Sequence, residues 1–225
     1  MNKRCFAIIV AGGSGTRMSS DIPKQFLLLE DKPIILRTVE AFMNLSFPVE
    51  IIIVIPSAYR DLWTNICAER VLNLSHHLVS GGITRFHSVK NGLKYLPADS
   101  LVAVHDGVRP FVSRELLESL YQLADEKGAV VPVVKPVDSM RKLMEDGSTL
   151  PVNREEYVLI QTPQVFHSDI LIEAYQQAYS PAFTDDASVV QSIGKEVFLT
   201  DGSPFNIKIT RQEDLIMAKA ILNAF

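Results

Sequence analysis

Short runs in which every residue is apolar punctuate the chain, at residues 6–10 (FAIIV), 51–55 (IIIVI), 101–104 (LVAV) and 129–134 (AVVPVV). Side chains alternate faces along a strand, so a run with no polar position belongs to a strand covered on both sides. Between the runs the apolar spacing lengthens to three and four residues, over 36–43, 59–70, 85–95 and 114–126. That spacing predicts amphipathic helices. Ser113 predicts the N-cap of the last of these and Gly128 its C-cap. The alternation predicts an α/β fold: a doubly wound, mostly parallel, Rossmann-like sheet with right-handed crossovers. Ligands collect at the carboxyl ends of the strands in such sheets.

The rhythm breaks between about 138 and 163, where two polar-apolar runs flank Glu145-Asp146-Gly147-Ser148. Asp-Gly is a strong turn signal, so this stretch predicts a β-hairpin arm inserted into the α/β body. A lone hairpin buries too little surface to be stable. The arm is therefore expected to pack on a second copy of the chain, in a homodimer. After it the pattern predicts helices at 168–179 and 186–193, strands at 196–199 and 206–209, and a closing helix at 211–223. Residues 1–225 read as one domain carrying that arm.

Composition narrows the function. Hydrophobic residues make up 47% and charged ones 21%, which excludes general disorder. Lys plus Arg at 22 against Asp plus Glu at 26 leaves a net charge of −4. That argues against a nucleic-acid partner, although a local basic site fits within it. Two cysteines, Cys5 and Cys67, suit a reducing compartment and are too few for a metal cage. The N-terminal apolar run is too short to span a bilayer, and no cleavage pattern follows it. The expectation is a soluble, cytoplasmic protein with no membrane partner.

The candidate chemistry begins where the first strand ends, at Ala11-Gly12-Gly13-Ser14-Gly15-Thr16-Arg17-Met18. Glycines there let the backbone approach a ligand and aim N–H groups at phosphate oxygens. Met18 breaks the dinucleotide fingerprint at its sixth position, and no Gly-Lys-Ser/Thr follows, so this is not a P-loop. Arg17 and Lys24, seven residues apart, can neutralise a polyphosphate; the lesser alternative for Lys24 is a solvated loop lysine. Asp106 follows the run at 101–104, at the carboxyl edge. It is a candidate for ribose or Mg²⁺ contact, or else caps its loop and pairs with Arg109. His105 reads as a packing residue, since no His/Cys cluster accompanies it. Gly81, Gly82 and Ser88 sit between a strand end and a helix start, a position that also suits a turn and a cap. Lys208 stands between two isoleucines in the strand expected at 206–209, where a lysine can guard a sheet edge.

The string AGGSGTRM followed by PKQF resembles the nucleotide-sugar-pyrophosphorylase-like cytidylyltransferases, and most nearly the 2-C-methyl-D-erythritol 4-phosphate cytidylyltransferase family. Ribitol-5-phosphate cytidylyltransferases are close relatives of that family. The resemblance continues through Gly81-Gly82, Arg85 with Ser88-Val89, His105-Asp106-Gly107-Val108-Arg109-Pro110, Asp138-Ser139, Gln161-Thr162-Pro163-Gln164, Thr184-Asp185-Asp186-Ala187-Ser188 and Asn206-Ile207-Lys208-Ile209-Thr210.

It implies a CTP site at Ala11, Gly12, Gly13, Ser14, Gly15, Thr16, Gly81, Gly82, Arg85, Ser88 and Asp106, with Gly82 and Ser88 at the cytosine edge. It implies a sugar-alcohol phosphate site at Asp106, Gly107, Arg109, Ser139, Arg154, Thr162 and Lys208, and catalytic cations at Arg17, Lys24, Arg154 and Lys208. Mg²⁺ or another divalent cation, on Asp106 and phosphate oxygens, is the implied cofactor. Ser139 stands where the family commonly has Thr, Asn153 where Asp is common, and Gly12 where Ala is frequent. The alternatives are the ribitol 5-phosphate enzyme and a nucleotide-binding regulator without turnover. The latter would require the cations to be absent or misplaced.

Overall fold

The structure, a computed structural model, describes residues 3–13, 22–70 and 75–224. The elements run β1 (Arg4–Val10), a small ribbon of β2 (Leu28–Leu29) and β3 (Lys32–Pro33), α1 (Ile34–Met43), β4 (Val49–Ile55), α2 (Arg60–Glu69), β5 (His76–Ser80), α3 (Arg85–Leu93) and β6 (Ser100–Asp106). Then come α4 (Arg114–Lys127), β7 (Ala129–Val134), the hairpin β8 (Met140–Leu143) and β9 (Thr149–Val152), β10 (Leu159–Ile160) and β11 (Gln164–His167). The chain closes with α5 (Ser168–Ala174), α6 (Asp186–Gln191), β12 (Phe198–Asp201) and α7 (Gln212–Ala224).

The main sheet runs β10-β7-β11-β6-β1-β4-β5, with β12 also on β7. The apolar runs fill both of its faces. Ala7, Ile9, Ile51, Ile53 and Ala103 pack under Leu36, Phe42, Trp63 and Leu120 from α1, α2 and α4. Phe6, Ile8, Val10, Ile52 and Val104 face Phe86, Val89, Leu171 and Val190 from α3, α5 and α6. Adjacent residues of one strand thus enter opposite cores, which is why those runs lack a polar position.

The parallel pairs are β1–β4, β1–β6, β4–β5 and β7–β12. Three antiparallel pairs interrupt them, two made by β11 with β6 and β7 and one by β10 with β7. The sequence reading missed β11, four residues wedged between Pro163 and a helix, too short to show a period. Its register decides the site. Gln164 stands opposite Val104, so β11 begins at the carboxyl edge of β6 and leaves Thr162 beside Asp106.

The strand expected at 206–209 is not a strand. These residues join no ladder, because their polar groups are taken by loops. Arg109 Nη1 donates to Asn206 O at 2.7 Å, Asn206 Nδ2 donates to Thr162 O at 2.8 Å, and Ile209 N donates to Val108 O at 3.0 Å. The strand expected at 196–199 falls two residues later, at β12, and α5 ends at Ala174 rather than 179. The hairpin forms as expected, with Met140 opposite Val152, Leu143 opposite Thr149, and Gly147 at a φ of 83°. The hairpin leaves Leu143 and Leu150 exposed, and its flanks Val137, Leu159 and Ile160. No helix among the described residues is long and apolar enough to cross a membrane.

Both caps of α4 are present. Ser113 Oγ accepts from Leu116 N at 3.2 Å, and Gly128, at a φ of 86°, donates its N–H to Ala124 O at 2.8 Å. A Cβ on Gly128 would meet the left-handed penalty and stand 3.0 Å from Ile170 Cδ1. Gly128→Ala should therefore lower stability by about 1–2 kcal/mol, read as an earlier urea midpoint at unchanged slope. An unshifted midpoint would refute the strain.

Candidate functional site

Two cavities meet at the carboxyl edge of β1 and β6. The larger, about 450 Å³, is walled by Ala11, Gly12, Gly13, Lys24, the Gly82–Arg85 turn and Ser88. The smaller, about 270 Å³, is walled by Arg109, the Ile160–Thr162 turn, Gln164 and the Thr184-Asp185 pair. Arg85, Asp106 and Lys208 line both. They form the partition between the two.

Asp106 is opposite Val10 in the ladder, which brings its carboxylate level with the glycine loop. Lys208 Nζ lies 2.9 Å from Oδ2, Arg109 Nε 3.3 Å from Oδ2, and Arg85 Nε 3.6 Å from Oδ1. Burial works to raise the pKa of this carboxyl, but the charges of Arg85, Lys208 and Arg109 outweigh it and hold it far below the usual carboxylate range. Asp106 therefore does pair with Arg109, and with two further cations, while standing on the wall of both cavities. With Asp186 also paired to Arg85, two carboxylates stand against three cations, a net positive charge of one at the partition that suits phosphate.

Arg85 is held from behind. Its Nη1 and Nη2 donate to Asp186 Oδ1 and Oδ2 at 2.9 and 2.7 Å, and Tyr175 Oη donates to Asp186 Oδ1 at 2.6 Å. Asp186 opens α6, whose N-cap Asp185 forms a reciprocal capping box with Ser188. Gln164 clasps this corner, donating to Asp185 Oδ2 and accepting from Ala187 N, both at 2.8 Å. The Asp185-Asp186-Ala187-Ser188 string thus fixes Arg85, a role sequence reasoning did not assign. An Asp followed three residues later by Ser was the available signal.

A second omission is Gln25. Buried, it donates from Nε2 to Ala11 O at 2.7 Å and Gly13 O at 3.3 Å. It thereby stitches the turn carrying Lys24 to the glycine loop. Ser88 Oγ accepts from Gly82 N and donates to Thr84 O, each at 3.0 Å. A Cβ on Gly82 would lie 2.4 Å from His87 Cβ, so only glycine lets the turn close on α3. Gly81 and Gly107 line neither cavity. Gly107 is a close-packing point, where a Cβ would stand 2.8 Å from Ala11 Cβ, whereas a Cβ on Gly81 would make ordinary contact 3.5 Å from Gly12 Cα.

Ser139 and Arg154 are on the arm, exposed, and line neither cavity. Arg154 Nη1 donates to Val137 O. Ser14, Gly15, Thr16 and Arg17 lie outside the described residues. Among the described residues no group of three His, Cys, Asp or Glu side chains could cage a metal. One carboxylate beside a phosphate-sized space fits a Mg²⁺ that arrives on a triphosphate and keeps most of its waters.

His105 is wholly buried and does act as a satisfied packing residue, its ring 5.4 Å from that of Phe42. Its Nε2 is 3.0 Å from Arg109 O and its Nδ1 2.9 Å from Thr162 Oγ1. Burial pushes its pKa down from 6.5 to about 4; Arg109 and Arg85 add to this, while the Arg109 carbonyl and Asp106 oppose it. The unfolded chain then binds a proton that the folded chain refuses between those values. The stability from neutral His105 is full above pH 6.5 and is lost as pH falls towards 4, by about 3 kcal/mol. Urea midpoints measured across that window should fall less steeply in His105→Asn than in the parent. Equal slopes would remove His105 as the cause.

Residues 5–224 match the family model described as 2-C-methyl-D-erythritol 4-phosphate cytidylyltransferase. The protein of that name from Phocaeicola vulgatus is 50% identical over 216 residues, covering 96% of this chain and 98% of its own. That from Bacteroides thetaiotaomicron is 49% identical over 215 residues, with coverage of 96% and 98%. Among solved structures, the 4-diphosphocytidyl-2C-methyl-D-erythritol synthase of Anaerococcus prevotii superposes with a TM-score of 0.84 at 31% identity, over 98% of this chain and 96% of its own. The cytidylyltransferase of Thermus thermophilus gives 0.78 at 30%, over 98% and 99%. With half its residues shared with a relative along nearly the full length of both, the chain belongs to the 2-C-methyl-D-erythritol 4-phosphate cytidylyltransferase family.

Proposed function

We propose that this chain transfers the cytidylyl group of CTP to 2-C-methyl-D-erythritol 4-phosphate at the partition between its two cavities. The products are 4-diphosphocytidyl-2-C-methyl-D-erythritol, for isoprenoid precursor synthesis, and pyrophosphate. The observation that carries the site assignment is the wall shared by Arg85, Asp106 and Lys208. CTP occupies the larger cavity and the sugar-alcohol phosphate the smaller. Their phosphates then meet at that wall, where a phosphate oxygen of the monoester attacks the α-phosphorus and the bond to the β-phosphate oxygen breaks. Two anions must be brought together and charge grows at the reacting phosphorus, so positioning and cationic clamping supply most of the catalysis. The relatives are named for methylerythritol phosphate, which favours it over ribitol 5-phosphate. The clustered cations weigh against a regulator without turnover.

On this reading the glycine loop, Arg17 and Lys24 hold the triphosphate, while Lys208 and Arg109 hold the monoester. Ser88 has already given its proton to Thr84 O and one lone pair to Gly82 N. What remains accepts the amino group at C4 of cytosine and refuses the carbonyl of uracil. Mg²⁺ on Asp106 and phosphate oxygens would neutralise charge on the pyrophosphate as it leaves. The two cysteines, both free thiols, suit the cytoplasm.

The exposed apolar flank of the arm supports a homodimer in which Arg154 and Ser139 complete the neighbour's smaller cavity. Lys24→Ala should lower turnover about 10²–10³-fold while circular dichroism stays native. Near-parental pyrophosphate release would take Lys24 out of the catalytic set.

The dimer is tested by refolding Lys24→Ala and Arg154→Ala chains together in equal amounts. Half the dimers are then mixed, and each mixed dimer holds one intact site, so roughly a quarter of parental activity should return. A mixture no more active than its components would show that Arg154 serves its own subunit.

A further inference from the structure

Every hydrogen on the pair His105 and Thr162 can be assigned from the geometry alone. Arg109 O is a carbonyl with no proton to give, so His105 Nε2, 3.0 Å away, must donate. The ring is fully buried and its two nitrogens face only a carbonyl and a hydroxyl, with no carboxylate on either, so it keeps the neutral form with one N–H. That hydrogen is on Nε2, and Nδ1 is a bare lone pair. Thr162 Oγ1, 2.9 Å from Nδ1, must therefore turn its proton inward to fill it. One lone pair of Oγ1 is then taken by Asp106 N at 3.1 Å. A single lone pair is left, on a residue that lines the smaller cavity.

We infer that His105 is a positioning residue which, by holding the Thr162 proton, makes Thr162 an obligate acceptor that selects an alcohol O–H of the substrate. The inference rests on the substrate assignment proposed above and deepens it. A phosphate monoester near neutral pH is largely dianionic and offers oxygen acceptors, which Thr162 in this state cannot meet. Lys208 and Arg109 meet them instead. The smaller cavity is thus polarised, with cationic donors for phosphate at the partition and a neutral acceptor for a carbinol at Thr162. This fixes which way round a sugar-alcohol phosphate lies.

The test uses 2-C-methyl-D-erythritol 4-phosphate and two sets of analogues, one replacing each alcohol O–H in turn by H and the other by F. Fluorine accepts weakly but cannot donate. At one position the deoxy and deoxyfluoro compounds should both lose about 10–100-fold in kcat/KM, with KM for CTP unchanged. Thr162→Val should bring the parent compound down to the deoxy level. His105→Gln can keep a donor towards Arg109 O but offers Thr162 no acceptor. Its freed hydroxyl proton should let the deoxyfluoro compound outrun the deoxy one. His105→Asn, with Oδ1 where Nδ1 stood, should restore the original order.

A deoxyfluoro compound as good as the parent at every position would overturn the inference. So would Gln and Asn variants that behave alike. Should either His105 variant lose its native circular dichroism, the analogue series with Thr162→Val decides alone. If unmodified substrate yields no CDP-alcohol in the parent enzyme, it is the substrate assignment that fails.

Discussion

The carboxylate of Asp106 is the constraint around which the site is organised. Arg85, Arg109 and Lys208 come from three separate parts of the chain and would repel one another across the few ångströms that separate them. Asp106, 2.9–3.6 Å from all three, makes their convergence tolerable. A buried charge is costly unless paired and hydrogen-bonded, and here each partner is itself anchored. Arg85 rests on Asp186, Arg109 donates to Asn206 O, and Lys208 follows Asn206, whose amide holds Thr162 O. The cluster is cross-braced, and its surplus positive charge faces the cavities.

That arrangement depends on a sheet buried on both faces. The parallel ladder levels Asp106 with Val10 and so sets a carboxylate against a glycine loop. The antiparallel entry of β11 brings Thr162 to Asp106 N from the other side. Glycines at 12 and 107 let backbone segments converge where a Cβ would stand 2.9 Å from Ser88 Oγ and 2.8 Å from Ala11 Cβ. The cavity walls thus join glycine-loop backbone to polar side chains such as Gln25, Arg85, Arg109 and Gln164 that are themselves held by hydrogen bonds. Such walls reorganise little when charge develops.

The fold was legible where physics is local. Continuous apolar runs identified β1, β4, β6 and β7, the 3.6-residue period identified the helices between them, and Ser113, Gly128 and Asp146-Gly147 marked caps and turn. β11 was not legible, because four residues after a proline show no period and their place is set by β6 and β7. The 206–209 segment misled for the opposite reason. Its Ile-Lys-Ile alternation is real, but its hydrogen bonds go to Arg109, Thr162 and Val108. In the site, Lys24, Arg85, Ser88, Asp106 and Lys208 converge around one cavity wall. Gln25, Gln164 and Asp186 stood in the quoted motifs without a role, because the bonds they make to the glycine loop, to α6 and to Arg85 are set by the fold, and spacing along a chain carries no trace of that.

Two hydroxyls in this site have spent their protons inward, Ser88 on Thr84 O and Thr162 on His105. In water a hydroxyl turns freely and accepts or donates as its partner asks, so it discriminates between neither. Locked from behind, each becomes a fixed acceptor, and a ligand group that cannot donate leaves a lone pair dry and unpaired, at about 1–3 kcal/mol. The cations at the partition are equally fixed in the opposite sense, since Arg and Lys can only donate. Donors therefore gather where phosphates meet, and the acceptors Ser88 and Thr162 stand on the walls of the larger and the smaller cavity. Each substrate then reads as acceptor at its phosphate and donor at its head, an orientation that points both reacting groups towards the same wall.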